Sequence, residues 1–388
     1  APAEPAAPAA PATPAEPAAQ VLEPVPEGVQ GEAAPVLDSA KEAPAPSDPG
    51  LPAPDAPTEP VAPAPVDDAA SRADIAPVEI APVRTETGET VTRLPDPVRP
   101  ADEGHVVKTI ENRILITIGA ITFVESPDIQ RLAADRDEVI FETLPRGRTR
   151  ETIVRPNGVQ VVTVRNRFGD IIQRSRILPD GREVILSYAQ EYDREDYVEW
   201  RDPSFDLPPM RLTIPVREYT LDARYVENDG DYYDFLELPP VERIEKVYSI
   251  QDVKRSARVR DKARRVEMGN ITFGFGSADI AEDQIPTLEG LAQALSRLIE
   301  QNPGETFLIE GHTDAVGLDG ANLALSDRRA ESVAVALTDV FGIPAENLAT
   351  QGYGERFLKV KTQSKEPLNR RVVFRRITPL IAPVASAQ

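Results

Sequence analysis

Residues 309–333 read IEGHTDAVGLDGANLALSDRRAESV, and this stretch decides the fold. The apolar run at 306–311 (TFLIEG) has the length and composition of a short buried strand. It stops at His312-Thr313-Asp314, and a loop carrying Gly317 and Gly320 follows. A helix is expected over 319–341, with Leu323, Ala330, Val333, Leu337 and Val340 on its inner side. Gly342 and Pro344 end it. Upstream, Leu288, Leu291, Leu295 and Leu298 recur at 3-4-3 spacing, one face of a helix over 286–302, and Asn302-Pro303-Gly304 stops it. Strands are expected at 271–273, 348–352 and 371–377. The order βαβα–ββ predicts an α+β domain at 266–380, with helices packed on one side of a mixed sheet.

Asp314 stands just past the carboxyl end of a strand, where loop side chains face a crevice. Arg329 follows one or two turns into the next helix. A carboxylate and a guanidinium at one cleft can read a zwitterion: one takes an ammonium, the other grips a carboxylate with its two-pronged fork. Spacing alone favours an internal Asp314–Arg329 salt bridge.

The blocks EGHTD-x-x-G, N-x-x-LS-x-x-RA-x-S-V, QGYGE and NRRV occur here in that order. Together they closely resemble the C-terminal peptidoglycan-binding domain of the OmpA family, over about residues 266–378. The resemblance implies a noncatalytic module that binds the cell wall through the diaminopimelate of the peptide stem. It assigns the grip to Asp314 and Arg329, with Thr313, Asn322 and Arg370 as supporting groups. It also implies the periplasm or outer membrane of a Gram-negative bacterium, with peptidoglycan as partner and the envelope tethered to the wall. The hairpin region around RILPDGRE is similar to that of alphaproteobacterial members.

Upstream of this domain the composition divides. Residues 1–105 hold 23 of the 39 prolines, no aromatic residue, and 19 acidic against 5 basic side chains. Most of the formal charge of −21 therefore belongs to this segment. It reads as a disordered, acidic Pro/Ala-rich tail, because small side chains cannot offset ~1–2 kcal/mol of ordering cost per residue. Extended, it would serve as a spacer of roughly 300 Å at ~3.1 Å per residue. Ala1-Pro2-Ala3 looks like the product of signal cleavage.

Residues 106–265 read as a β-rich region. Asn157-Gly158, Phe168-Gly169-Asp170 and Asp180-Gly181 mark tight turns, taken as type I′ hairpins, between strands of a three- or four-stranded meander. Residues 226–237 (VENDGDYYDFLE) look like a solvated acidic loop, and 248–265 a charged connector. This region could bind an envelope protein partner, with the C-terminal domain only localising it.

Several classes of function fall away. The sequence has no Cys, so it offers no disulfide framework, thiol nucleophile or lipidated Cys. With two His, a metal centre at His312 and Asp314 lacks a third ligand, and His312 reads as a strand-end packing residue. No cofactor is implied. No Ser–His pair or carboxylate pair suggests an enzyme. The longest apolar run, 114–124 (ILITIGAITFV), is far short of the ~20 residues of a membrane helix. The basic stretch 356–376 lacks stacking aromatics for nucleic acid and reads as docking stem carboxylates, or as solvated.

Overall fold

In the computed structural model the described residues are 20–26, 28–42, 62–98, 106–118, 121–194, 197, 200–274 and 276–384. Two strands come from the Pro-rich third, β1 (Glu32–Ala33) and β2 (Glu89–Val91). A three-stranded antiparallel sheet follows: β3 (Val106–Ile110), β4 (Arg113–Ile118) and β5 (Ile121–Glu125). Next come β6 (Glu138–Thr143), β7 (Thr149–Val154), β8 (Gln160–Arg165), β9 (Ile171–Ile177) and β10 (Glu183–Tyr188). They form an open sheet of order β10-β9-β8-β7-β6-β2. The expected meander is therefore five consecutive strands, with β2 from the tail added at one edge.

The turns differ from the type I′ expectation. Gly158 N–H donates to the Arg155 carbonyl, Gly169 to Asn166 and Gly181 to Leu178. Only the glycines of these turns have positive φ, at 83°, 91° and 88°. Type I′ needs two left-handed residues, so each turn is a three-residue loop closed by a single left-handed glycine.

The C-terminal sheet contains β11 (Thr220–Asp222), β12 (Arg265–Met268), β13 (Phe307–Gly311), β14 (Leu348–Gly352) and β16 (Val372–Arg376), in the order β11-β12-β16-β13-β14. Strand β15 (Val360–Lys361) pairs separately with β1. Strands β13 and β14 are parallel, and β16 runs antiparallel between β12 and β13. Three helices matter here: α1 (Gly230–Leu236), α2 (Glu289–Gln301) and α3 (Asp319–Asp339). The Leu291, Leu295 and Leu298 face of α2 and the Ala330, Val333 and Leu337 face of α3 share one core with Val266, Met268, Phe307, Ile309, Val372 and Phe374. Each fully buried Leu or Ile in it contributes roughly 1.5–3 kcal/mol.

Two glycines let α3 rest directly on the strand ends. A Cβ on Gly311 would overlap the Ser326 carbonyl, and one on Gly352 the Asp327 backbone nitrogen. This contact sets the loop after β13 beside the first turns of α3.

Four expectations change. The first-strand role falls to β12, not 271–273, where Phe273 forms only an isolated bridge to Ile280. Arg265 and Glu267 alternate with Val266 and Met268, so β12 looks like a charged connector although both of its faces are covered. The 226–237 stretch is not a solvated loop: α1 carries Tyr232, Tyr233 and Phe235 into the core beside α2. The segment expected to be a disordered tail is packed over 20–26 and 28–42, whereas over 62–98 most residues are exposed and Ser71 and Val83 are buried. Ala34 donates to the Lys359 carbonyl at 3.0 Å, and Ala34 and Val36 are fully buried. Residues 1–19, 43–61 and 99–105 lie outside the described residues. The described stretches hold what the Ala/Pro repeats lack, namely Val36, Leu37 and Val83 for the core and Asp38 for ion pairs. Finally, the basic 356–376 stretch points mostly inward: Lys359, Arg371 and Arg375 are buried among carboxylates, and Arg376 pairs with Glu305 and Asp68.

Candidate functional site

The loop leaving β13 carries Thr313 and Asp314, and the first turns of α3 carry Asn322 and Arg329. Arg370 comes from the turn before β16. All five residues singled out by sequence lie around this loop. Asp314 does not pair with Arg329. Its Oδ2 accepts from Arg370 Nη1 at 2.8 Å, and its Oδ1 accepts from the Val316 N–H at 3.4 Å. The internal Asp314–Arg329 salt bridge therefore does not form; Arg370 takes that place.

Arg329 is only 4% exposed. Its Nε donates to the Ser277 carbonyl at 3.0 Å and its Nη2 reaches the Gly274 carbonyl at 3.5 Å. Its guanidinium carbon lies 4.8 Å from the centre of the Phe273 ring. Among the described residues no carboxylate lies within ion-pair distance of it. Burial, and next the like charge of Arg370, push its pKa down to about 10. Neutral carbonyls orient this cation, and the charge of Asp314, beyond ion-pair distance, offsets only part of its cost.

Asn322 braces the loop: its Nδ2 donates to Glu355 Oε2 at 2.6 Å and also lies 3.3 Å from the Val316 carbonyl. Burial, opposed by the hydrogen bond from Asn322, raises the Glu355 carboxyl. Gly317, at φ 118°, sits beside the Asn322 side chain and needs a residue without Cβ. Thr313 N–H donates to the Gly354 carbonyl at 2.9 Å, while its buried hydroxyl has no hydrogen-bond partner among the described residues. His312 packs as expected, stacked on Tyr353 with ring centres 5.6 Å apart. Burial, then the charge of Arg371, lowers it to about 4, so it is neutral at pH 7.

Sequence reasoning missed Gly274, Ser277 and Glu355. Gly274 and Ser277 act through backbone carbonyls, which no residue type announces. Glu355 was visible in QGYGE, but only as part of a turn.

The OmpA family model matches residues 272–371. The outer-membrane lipoprotein YfiB of Pseudomonas aeruginosa is 34% identical over 119 residues, 30% of this chain and 68% of that protein. Outer membrane porin F of the same organism is 33% identical over 91 residues, 24% of this chain and 25% of that protein. Omp38 of Acinetobacter baumannii is likewise matched over only 28% of its length. The crystal structure of the peptidoglycan-associated lipoprotein from Burkholderia pseudomallei is 25% identical, covers 27% of this chain and 86% of that one, and superposes with a TM-score of 0.24. The family match spans every residue of the Asp314–Arg329 site, and with YfiB matched at 34% identity over 68% of its length the chain belongs to the OmpA family.

Proposed function

We propose that this chain binds peptidoglycan noncovalently, without catalysis, and ties the envelope to the cell wall from the periplasm or outer membrane. The ligand group is the diaminopimelate of the peptide stem, a zwitterion at its side-chain end. Its ammonium docks on Asp314, which Arg370 and the Val316 N–H hold in place while lone pairs remain for the ligand. Its carboxylate takes the fork of Arg329, and each charge-assisted hydrogen bond contributes about 1.5–3 kcal/mol. Asn322 and Thr313 position the loop.

The observation that carries this reading is Arg329. A buried guanidinium held by carbonyls alone is costly unless an anion completes it. The outer-membrane relatives support the location.

The test is retention of the full chain on purified sacculi. Wild type is expected to co-sediment; Asp314→Ala and Arg329→Ala are expected to lose about tenfold or more in affinity, the weight of one such hydrogen bond. Arg329→Lys keeps the charge without the fork and is expected to fall between them. Equal retention of folded variants would sink the assignment.

A further inference from the structure

The helix that bears Arg329 is gripped from outside the C-terminal domain. The β3–β5 sheet, Val106 to Glu125, lies along one stripe of α3. A Cβ on Gly320 would stand 3.2 Å from Leu115 and 3.3 Å from Ile110. Leu115 and Val124 share an apolar cluster with Leu323. Further along, Arg113 Nε donates to Asp327 Oδ2 at 3.0 Å, and its Nη2 pairs with Glu331. Positions 320, 323, 327 and 331 follow 3-4-4 spacing, so they form one face of the helix. Glu111, in the β3–β4 turn, takes the neighbouring Arg328. Gln351 Nε2 ties the same sheet to β14 through the Val124 carbonyl at 3.0 Å.

These ion pairs flank Arg329 in sequence and lie behind it in space. Successive helix positions turn by ~100°, so Arg329 leaves α3 about 200° round from Asp327. A helix gripped on its back face cannot roll, and roll is the motion that would swing the guanidinium across the Asp314 loop. Asp327 is the pivot: its Oδ1 accepts from the Gly352 N–H at 3.1 Å while its Oδ2 takes Arg113. Both partners of this pair are buried. A buried pair adds little net stability and is best attested as a device that fixes register. The close approach at Gly311 and Gly352 sets how near α3 lies to the strands; the hairpin sets how it is turned.

We propose that Arg113 is a positioning residue of the wall site, and that the β3–β4 hairpin aims Arg329 at its carboxylate. The site is then composite: the groups that touch the ligand come from the C-terminal domain, and their aim from the region before it. This rests on the peptidoglycan reading above, in which Arg329 grips the carboxylate at the side-chain end of diaminopimelate.

The test is calorimetric titration of the full chain with two tripeptide stems, L-Ala-γ-D-Glu-meso-diaminopimelate and the same peptide ending in L-lysine. The lysine stem keeps the side-chain ammonium and lacks the carboxylate beside it, so the ratio of the two affinities reads the grip of Arg329. Wild type is expected to favour the diaminopimelate stem about tenfold or more. Arg113→Met is expected to narrow that preference about threefold or more, and Arg113→Lys, which keeps a charge for Asp327 without the fork, to narrow it less. Arg113→Met combined with Asp327→Asn leaves no stranded carboxylate at 327 and keeps an oxygen for the Gly352 N–H. The double variant is expected to narrow the preference as the single one does, and it carries the test if the single one does not fold. A hairpin that only stabilises the fold would weaken both stems alike. An unchanged ratio in the folded variants therefore overturns the proposal and leaves the peptidoglycan reading standing. A wild-type chain that binds both stems equally overturns the grip of Arg329 itself, and the positioning role with it.

Discussion

The two faces of the C-terminal sheet are both buried, by opposite chemistry. On one, Phe307, Ile309, Val372 and Phe374 meet α2 and α3 through apolar contact. On the other, Leu308 and Ala349 join an apolar patch, but the space around Glu310 and Arg375 is ionic. Arg375 Nε donates to Glu310 at 2.6 Å, its Nη2 to Asp38 at 3.3 Å, and its Nη1 to Tyr219 Oη at 3.0 Å. Arg265 pairs with Glu23 at 2.6 Å, and Lys359 with Glu267 at 2.5 Å. The Arg260 guanidinium lies against both Tyr353 and Phe357, 4.2 and 4.7 Å from their ring centres. An apolar face accepts any apolar cover of the right shape. An ionic face accepts only a segment with its carboxylates in register, and here that segment is 20–42. The layer specifies its cover, and it is expensive to leave half-made.

The sharpest way to break this contrast is Arg375→Ala. It removes the shortest ion pair of Glu310 and leaves that buried carboxylate with only Arg260 at 3.5 Å, and is expected to cost about 3–5 kcal/mol, read as a fall in denaturation midpoint of the full chain. A cost under ~1 kcal/mol would mean that the layer is hydrated rather than dry.

Acid should separate the faces next. Burial, overcome by Arg375 and Arg260, leaves Glu310 ionised down to about 2, so below the ordinary 4.5 the unfolded chain binds a proton that the native one refuses. Stability then falls as pH drops from 4.5 towards 2. His312 resists protonation down to about 4 against an ordinary 6.5, so it adds an earlier loss between 6.5 and 4, of up to one proton in slope. His312→Phe, which keeps the ring on Tyr353, should flatten the upper leg alone in urea midpoints measured against pH. An unchanged upper leg would remove His312 from the account.

The mildest change tests the helix side. Ile309→Val is expected to cost only about 0.5–1.5 kcal/mol. The cost should be the same from pH 7 to 5, since no titrating group is touched. A pH-dependent penalty would show that the two faces are coupled through β13.

This contrast also explains what the sequence made legible. The helix-covered face was readable because Leu291, Leu295 and Leu298 repeat with the helical period, and both helices lie where that period puts them. Asp314, Arg329, Asn322, Thr313 and Arg370 were readable as motif positions, and they gather around one loop. The ionic face was not readable. Arg265, Glu267, Glu310 and Arg375 have the composition of solvated strand faces, and Glu23 and Asp38 that of an acidic tail. Burial of a charge depends on a partner far along the chain, 65 residues away for Arg375–Glu310 and 242 for Arg265–Glu23, which local pattern does not encode. The Arg370–Asp314 pair was hidden for the same reason.

Gly311 and Gly352 give the site a metrological property. With no side chain between α3 and the strand ends, no rotamer can widen or narrow the gap between the Asp314 loop and the turn that bears Arg329. The backbone separation of the two residues is fixed like the jaws of a gauge, and hydrogen bonds from Arg370 to Asp314 and from Arg329 to the Ser277 carbonyl orient the side chains. On the proposed reading, a zwitterion would be selected by the separation of its ammonium and carboxylate as well as by their signs. One whose charges lie a methylene too far apart carries the right groups and the wrong length.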